Sequence, residues 1–151
     1  MRSVIADTSC LIILERIDAL DILESVYGSV LVTPTVASEY GSPLPEFIAI
    51  REVQNHRYEQ LLASVIDPGE ASAISLALET TDPLLILDDR KGRSVASDAG
   101  IKCTGTLGVL LRAKERGAIT ALRPLLDRLT ESGFRVSGAL LEEVLRLSGE
   151  R

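Results

Sequence analysis

Two short apolar runs each end in aspartate: Ser3-Val4-Ile5-Ala6 stops at Asp7, and Leu84-Leu85-Ile86-Leu87 stops at Asp88 and Asp89. Between them, Glu39 and Glu70 stand in segments with helical patterning. Carboxylates are hard oxygen donors, and no set of His and Cys residues competes with them. Four or five gathered around one point repel one another unless a cation fills the space. The chemistry predicted from Asp7, Glu39, Glu70, Asp88 and Asp89 is therefore a Mg²⁺ or Mn²⁺ centre. Such a cage leaves coordination positions for water and a phosphate oxygen, so the metal can activate water and neutralise charge developing on phosphorus. Phosphodiester hydrolysis is the reaction that follows. The sole histidine, His56, lies in a polar helix start and reads as a surface residue, which leaves metal-activated water as the nucleophile.

Each acid also has a purely structural reading. Asp7 can cap the helix after it, Glu70 can complete a capping box with Asp67, and Asp88 or Asp89 can cap a helix that begins near Arg90. Glu39 can be an ordinary exposed helix residue. These roles do not exclude metal binding, and the coincidence of the acids is stronger than any one of them. Thr8 and Ser9 are placed to position water or phosphate, although capping is the commoner use of such residues. Arg90, Lys91 and Arg93 follow the acidic pair directly and are candidate phosphate contacts. Gly105-Thr106-Leu107-Gly108 lacks both the Lys-Ser/Thr ending of a Walker loop and the third glycine of a dinucleotide fingerprint, so no nucleotide cradle is assigned there; Thr104 or Thr106 is expected as a helix cap.

The elements that hold these residues can be read from pattern. Both apolar runs read as buried parallel strands, and in an open α/β sheet ligands bind beyond the strands' carboxyl ends, where the aspartates stand. Thr8 or Ser9 caps a helix through Leu11 to Arg16, and a second helix runs from Ala19 to Tyr27. Val30 to Val32 is a strand, Pro34 opens a helix carrying Glu39, and Phe47 to Val53 alternates like a short edge strand. A helix spans His56 to Ile66, and Asp67-Pro68-Gly69-Glu70 begins another whose Ala71, Ile74, Leu76, Ala77 and Leu78 face the core. After the strand at 84–87 come a helix through Val95 to Ala99, a strand at Ile101 to Cys103, and helices near 106–116, 121–131 and 138–147. No repeat or linker interrupts the pattern, so residues 1–151 are expected to form one α/β domain.

Composition narrows the function. The 151 residues include three Tyr, two Phe and no Trp, too few aromatics for base-stacking platforms, so nucleic acid would be held through phosphates and metal. The net charge of −6 is unevenly spread: residues 1–89 hold 4 Lys/Arg against 15 Asp/Glu, whereas residues 90–128 hold 9 against 3. Acid and base meet at Asp89. Cys10 and Cys103 form neither a disulfide framework nor a metal motif and read as reduced core thiols. No targeting segment and no run of membrane-spanning length is present, which predicts a soluble, cytoplasmic protein. A phosphoaspartate receiver is disfavoured, because the acidic pair after the first strand and the lysine after a late strand are missing.

On these residues the chain resembles the PIN-domain family, including the VapC-type ribonuclease toxins of toxin–antitoxin pairs. The resemblance starts at Val4-Ile5-Ala6-Asp7-Thr8-Ser9 and continues at Thr35-Val36-Ala37-Ser38-Glu39. It is closest to a prokaryotic PIN-like branch through Asp67-Pro68-Gly69-Glu70-Ala71, Leu85 to Arg93 and Thr104 to Leu110. The resemblance implies a Rossmann-type three-layer α/β/α sandwich with a central, mainly parallel sheet, and metal-dependent endonucleolytic cleavage of RNA. By position Asp7 matches the family's first acid, Glu39 the second, Glu70 the third, and Asp89 or Asp88 the fourth. Two departures stand out: the third acid is commonly aspartate, and the fourth motif commonly pairs Thr or Ser with the acid. The family also implies a homodimer and, for toxins, a small antitoxin, for which the apolar residues of 8–23 and 56–66 are the candidate surfaces. A catalytically weak binding module of the same fold is the alternative.

Overall fold

The computed structural model describes residues 2–150. Among them, strands β1 (Ser3–Ala6), β2 (Val30–Val32), β3 (Ile48–Ile50), β4 (Pro83–Ile86) and β5 (Lys102–Thr104) form one parallel sheet in the order β3-β2-β1-β4-β5. The chain winds outward from β1 through β2 to β3, then returns to β1's other side for β4 and β5. That reversal opens a crevice at the carboxyl ends of β1 and β4, as in other doubly wound sheets. Register fixes its floor: Ala6 pairs with Ile86, and the Asp7 N–H donates to the Ile86 carbonyl at 3.0 Å.

Side chains alternate across these strands, so each strand feeds two cores. Ile5, Leu85 and Leu87 pack on one face against Leu62 of α4 (His56–Ala63), Ile74 and Leu76 of α5 (Pro68–Leu78) and Ala96 of α6 (Arg90–Asp98). Val4, Ala6, Val30, Val32 and Ile86 pack on the other face. Their partners there come from α1 (Thr8–Arg16), α2 (Ile22–Tyr27), α3 (Pro34–Tyr40), α7 (Thr106–Glu115), α8 (Arg123–Glu131) and α9 (Gly138–Ser148). The result is the expected α/β/α sandwich. Helix α5 is the most enclosed element, with Gly69 through Ala77 buried, which gives Glu70 a fixed base.

Local chemistry sets the helix starts near the crevice. The Thr33 hydroxyl accepts from the Val36 N–H and Pro34 occupies the first turn of α3, while Gly41, at φ 73°, ends it in the left-handed conformation. Asp67 caps α5 by accepting from the Glu70 N–H at 2.9 Å, with Pro68 following.

Several expectations are corrected. Asp7, not Thr8 or Ser9, occupies the cap position of α1, and its side chain makes no capping bond. The helix expected from Ala19 starts at Ile22, because the chain turns at Asp18, where φ is 56°. The helix expected to reach Ile66 closes at Ala63, where the Ser64 hydroxyl donates to the Leu61 carbonyl. Leu78 points to solvent instead of the core. The apolar residues of 8–23 prove largely to be core, whereas Leu61 and Val65 are exposed. His56 is exposed, as expected. Cys10 is buried, and Cys103 is half-buried.

Candidate functional site

Asp7 leaves β1 directly into the crevice and is 4% exposed. The Ser9 hydroxyl lies 3.5 Å from its Oδ2, and the neighbouring Thr8 N–H favours the ionised carboxylate. Its Oδ1 is buried without any partner. Burial, reinforced by the charges of Asp67 and Glu39, pushes the Asp7 carboxyl up to about 6, against the lowering effect of the Thr8 and Ser9 donors. An oxygen in that condition costs free energy unless something positive or a donor reaches it.

Glu39 reaches the same place from α3. Its Oε1 accepts from the Thr8 hydroxyl at 2.6 Å, and its carboxylate lies so close over Gly69 that a Cβ there would collide with it. Gly69 is thus the opening in α5 through which Glu39 approaches. A hydrogen-bond chain fixes the two helices relative to each other: the Thr33 hydroxyl bonds the Ser72 hydroxyl at 2.6 Å, and Ser72 donates to the Gly69 carbonyl at 2.8 Å. Nothing in the spacing of Thr33 and Ser72 along the sequence marks them as partners.

Glu70 is 7% exposed and its Oε1 lies 2.7 Å from where a Cβ on Gly92 would sit, at the first turn of α6. Burial, a hydrogen bond with the Asp67 carboxyl, and the charges of Asp67, Asp89 and Asp7 push the Glu70 carboxyl up to about 8. Asp67 is the residue that sequence reasoning missed, having been read only as a cap. The signal was present: a cap and the residue three positions on share one helical turn, so a carboxylate at each meets the other.

The adjacent aspartates at the end of β4 divide their work. Asp89 caps α6 through Oδ2, which accepts from the Gly92 N–H at 3.0 Å. Asp88 turns the other way: Oδ1 accepts from the Thr106 N–H at 2.8 Å and Oδ2 from the Thr106 hydroxyl at 2.6 Å. Helix α7 starts from Gly105, which has no side chain to cap it, and Asp88 supplies that function from across the crevice. Thr106 is accordingly a buried partner of Asp88 and not the expected cap.

The carboxylates of Asp7, Glu39, Asp67, Glu70 and Asp89 thus form one electrostatically linked group, and Asp88 stands beside it. Among the described residues, no three His, Cys, Asp or Glu side chains are closed into a ready ligand set. Glu39, Asp88 and Asp89 each accept from protein donors: the Thr8 hydroxyl, the Thr106 N–H and hydroxyl, and the Gly92 N–H respectively.

A cleft of about 1030 Å³ opens alongside, with Ser9, Glu70, Asp88 and Asp89 on its acidic wall. Arg90 and Arg93 line it as well, with Arg93 held by donation from Nη1 to the Leu87 carbonyl at 3.1 Å. Lys91 is exposed and stands outside the lining, as do Asp7, Thr8 and Glu39. Phe134 and Arg135, between α8 and α9, close the opposite side.

A parallel sheet of this order, with acids after β1 and β4, defines a Rossmann-type protein with an acidic crevice at its topological switch point. A family model described as a PIN domain matches residues 3–150, and the chain belongs to that family. Membership carries nuclease-type, hydrolytic function in general, typical use of divalent metals, and an association with RNA. Comparison with curated proteins and with solved structures gave no match. Among the described residues no helix is long and apolar enough to cross a membrane.

Proposed function

We propose that the chain is a Mg²⁺- or Mn²⁺-dependent endoribonuclease in which Asp7, Glu39, Glu70 and Asp89 hold the cation. The single observation that carries this reading is the buried, unpartnered Oδ1 of Asp7, on a carboxylate that feels the charges of Glu39, Asp67 and Glu70. The donor set is all oxygen and fits a hard divalent ion. A divalent cation, if held by these residues, would supply Lewis acidity toward a phosphate oxygen and water.

The chain's own residues do the rest. Thr8 orients Glu39, and Ser9 orients Asp7. Arg90 and Arg93, on the wall beside Glu70 and Asp89, are the phosphate contacts in this reading. Lys91, outside that lining, is left out. Asp89 supplies the fourth acid in preference to Asp88, because both oxygens of Asp88 are engaged by Thr106. If the protein acts as a toxin with a small antitoxin, the exposed Leu61 and Val65 support a docking surface for it.

A second reading, a PIN-fold binding module that cleaves little, is favoured by one feature: most of the acids already have protein partners. Calorimetric titration with Mn²⁺ separates the two. The nuclease reading expects a site present in wild type and Asp88→Asn but lost in Asp7→Asn; absence of binding in wild type favours the module.

A further inference from the structure

A second pocket, of about 500 Å³, lies between α2 and α7 and is lined by Arg2, Tyr27, Arg112 and Arg116. In a chain of net charge −6, three arginines line this one pocket, with Glu115 as the carboxylate in the lining. Glu115 offsets little, because it meets Arg112 at 4.0 Å with both side chains half exposed. Arg2 reaches Asp82 at 3.5 Å, again at the surface. Arg116 is better anchored, its Nη1 donating to the Val26 carbonyl at 2.9 Å.

The half-buried Tyr27 hydroxyl stands within the field of all three arginines. Burial and the nearby Cys10 push it up, and the charges of Arg112, Arg116 and Arg2 pull it down. A hydroxyl donor among three guanidinium groups matches the needs of a phosphate group, which accepts through several oxygens.

Position ties this pocket to the acidic crevice. Thr104 and Gly108 line both, so the two depressions meet across one narrow saddle. Gly108 makes the saddle thin, because a Cβ there would collide with the Thr104 hydroxyl. Gly108 and Arg112 of α7 and Arg116, which caps its C-terminus, follow at intervals of four residues, about 6 Å apart along the axis, on one face. A strand crossing the saddle from the acidic crevice meets these arginines in succession.

We propose that the pocket of Arg2, Tyr27, Arg112 and Arg116 is a second phosphate-binding site, which holds the backbone of a nucleic-acid strand whose reacting bond lies in the acidic crevice. It rests on the nuclease reading for the crevice, not for the pocket.

The test is equilibrium binding of a labelled single-stranded RNA, followed by fluorescence anisotropy across a salt series in an Asp7→Asn background that prevents cutting. Arg112→Gln, whose side chain is half exposed, and Arg112→Gln/Arg116→Gln are compared, with thermal melts to confirm folding. The expected result is a several-fold loss of affinity. The slope of log affinity against log salt should shrink by about 0.7 per arginine removed. A dinucleotide, too short to leave the crevice, should bind all variants equally. Unchanged RNA affinity and slope in the folded double variant would overturn the proposal. So would competition by inorganic phosphate that the double variant abolishes while RNA affinity stays the same, since that assigns the pocket to a free phosphate. Absence of metal-dependent cutting by the wild type, with the arginine effects intact, would remove the nuclease reading and leave the pocket standing.

Discussion

Replacing Asp7 by Asn should remove a large part of the pH dependence of the metal-free protein's stability while destroying its site. In the folded chain the Asp7 carboxyl is raised from 3.8 to about 6, a gap of about 2 units worth ~3 kcal/mol. Its folded-state pKa lies above the unfolded value. The associated stability is therefore fully present below pH 3.8, declines as the pH rises, and is lost once the pH passes about 6. Asn cannot ionise and loses nothing across that window. Its amide adds a donor that must be satisfied, a pH-independent cost of about 1–3 kcal/mol. The pH dependence, not the absolute stability, is thus the readout. Urea denaturation in EDTA at steps from pH 4 to pH 8 should show the wild type falling by about 2–3 kcal/mol more than Asp7→Asn. Part of the fall persists in the variant, because Glu70 is also raised, from 4.5 to about 8. Saturating Mg²⁺ should flatten the wild-type curve by stabilising the ionised forms. Parallel pH profiles for the two proteins would refute this account of the crevice.

Other expectations follow from single contacts. Gly69→Ala places a Cβ where the Glu39 carboxylate now lies, so cleavage should fall at least 10-fold while the urea midpoint barely moves, since alanine is the better helix residue by about 0.5–1 kcal/mol. Asp88→Ala strands the N–H and hydroxyl of buried Thr106 and should cost about 1–3 kcal/mol by denaturation. Its effect on metal affinity should stay below that of Asp7→Asn. Lys114, with the N–H groups of Leu122 and Arg123, draws the Glu150 carboxyl down to about 2. A lowered folded-state pKa gives stability that is present above 4.5 and lost as pH falls toward about 2. Glu150→Gln should therefore lower the melting temperature at pH 7 and leave it little changed at pH 2.

Much of the architecture was legible because parallel strands buried on both faces leave uninterrupted apolar runs, and aspartates at their ends mark where the sheet stops. Capping chemistry made α3 and α5 readable from Thr33-Pro34 and Asp67-Pro68. What the residues did not disclose depends on approach in space. That Asp88 serves α7 requires knowing that Gly105 leaves that helix uncapped beside β4. That Gly69 admits Glu39, and that Thr33 and Ser72 clamp the two helices, requires the packing of α3 on α5. Boundaries slipped where tertiary contacts overrule periodicity, as at the turn through Asp18 that delays α2. Lys91 and Arg93 look equivalent in sequence, yet only Arg93 turns into the cleft, tethered by the Leu87 carbonyl.

The most direct measurement is cleavage of a panel of structured and single-stranded RNAs by the purified protein with Mg²⁺, Mn²⁺ or EDTA, beside Asp7→Asn. Cutting should require the divalent cation and disappear in Asp7→Asn, although that variant still folds. Cutting that persists in EDTA, or at equal rates in Asp7→Asn, would contradict it.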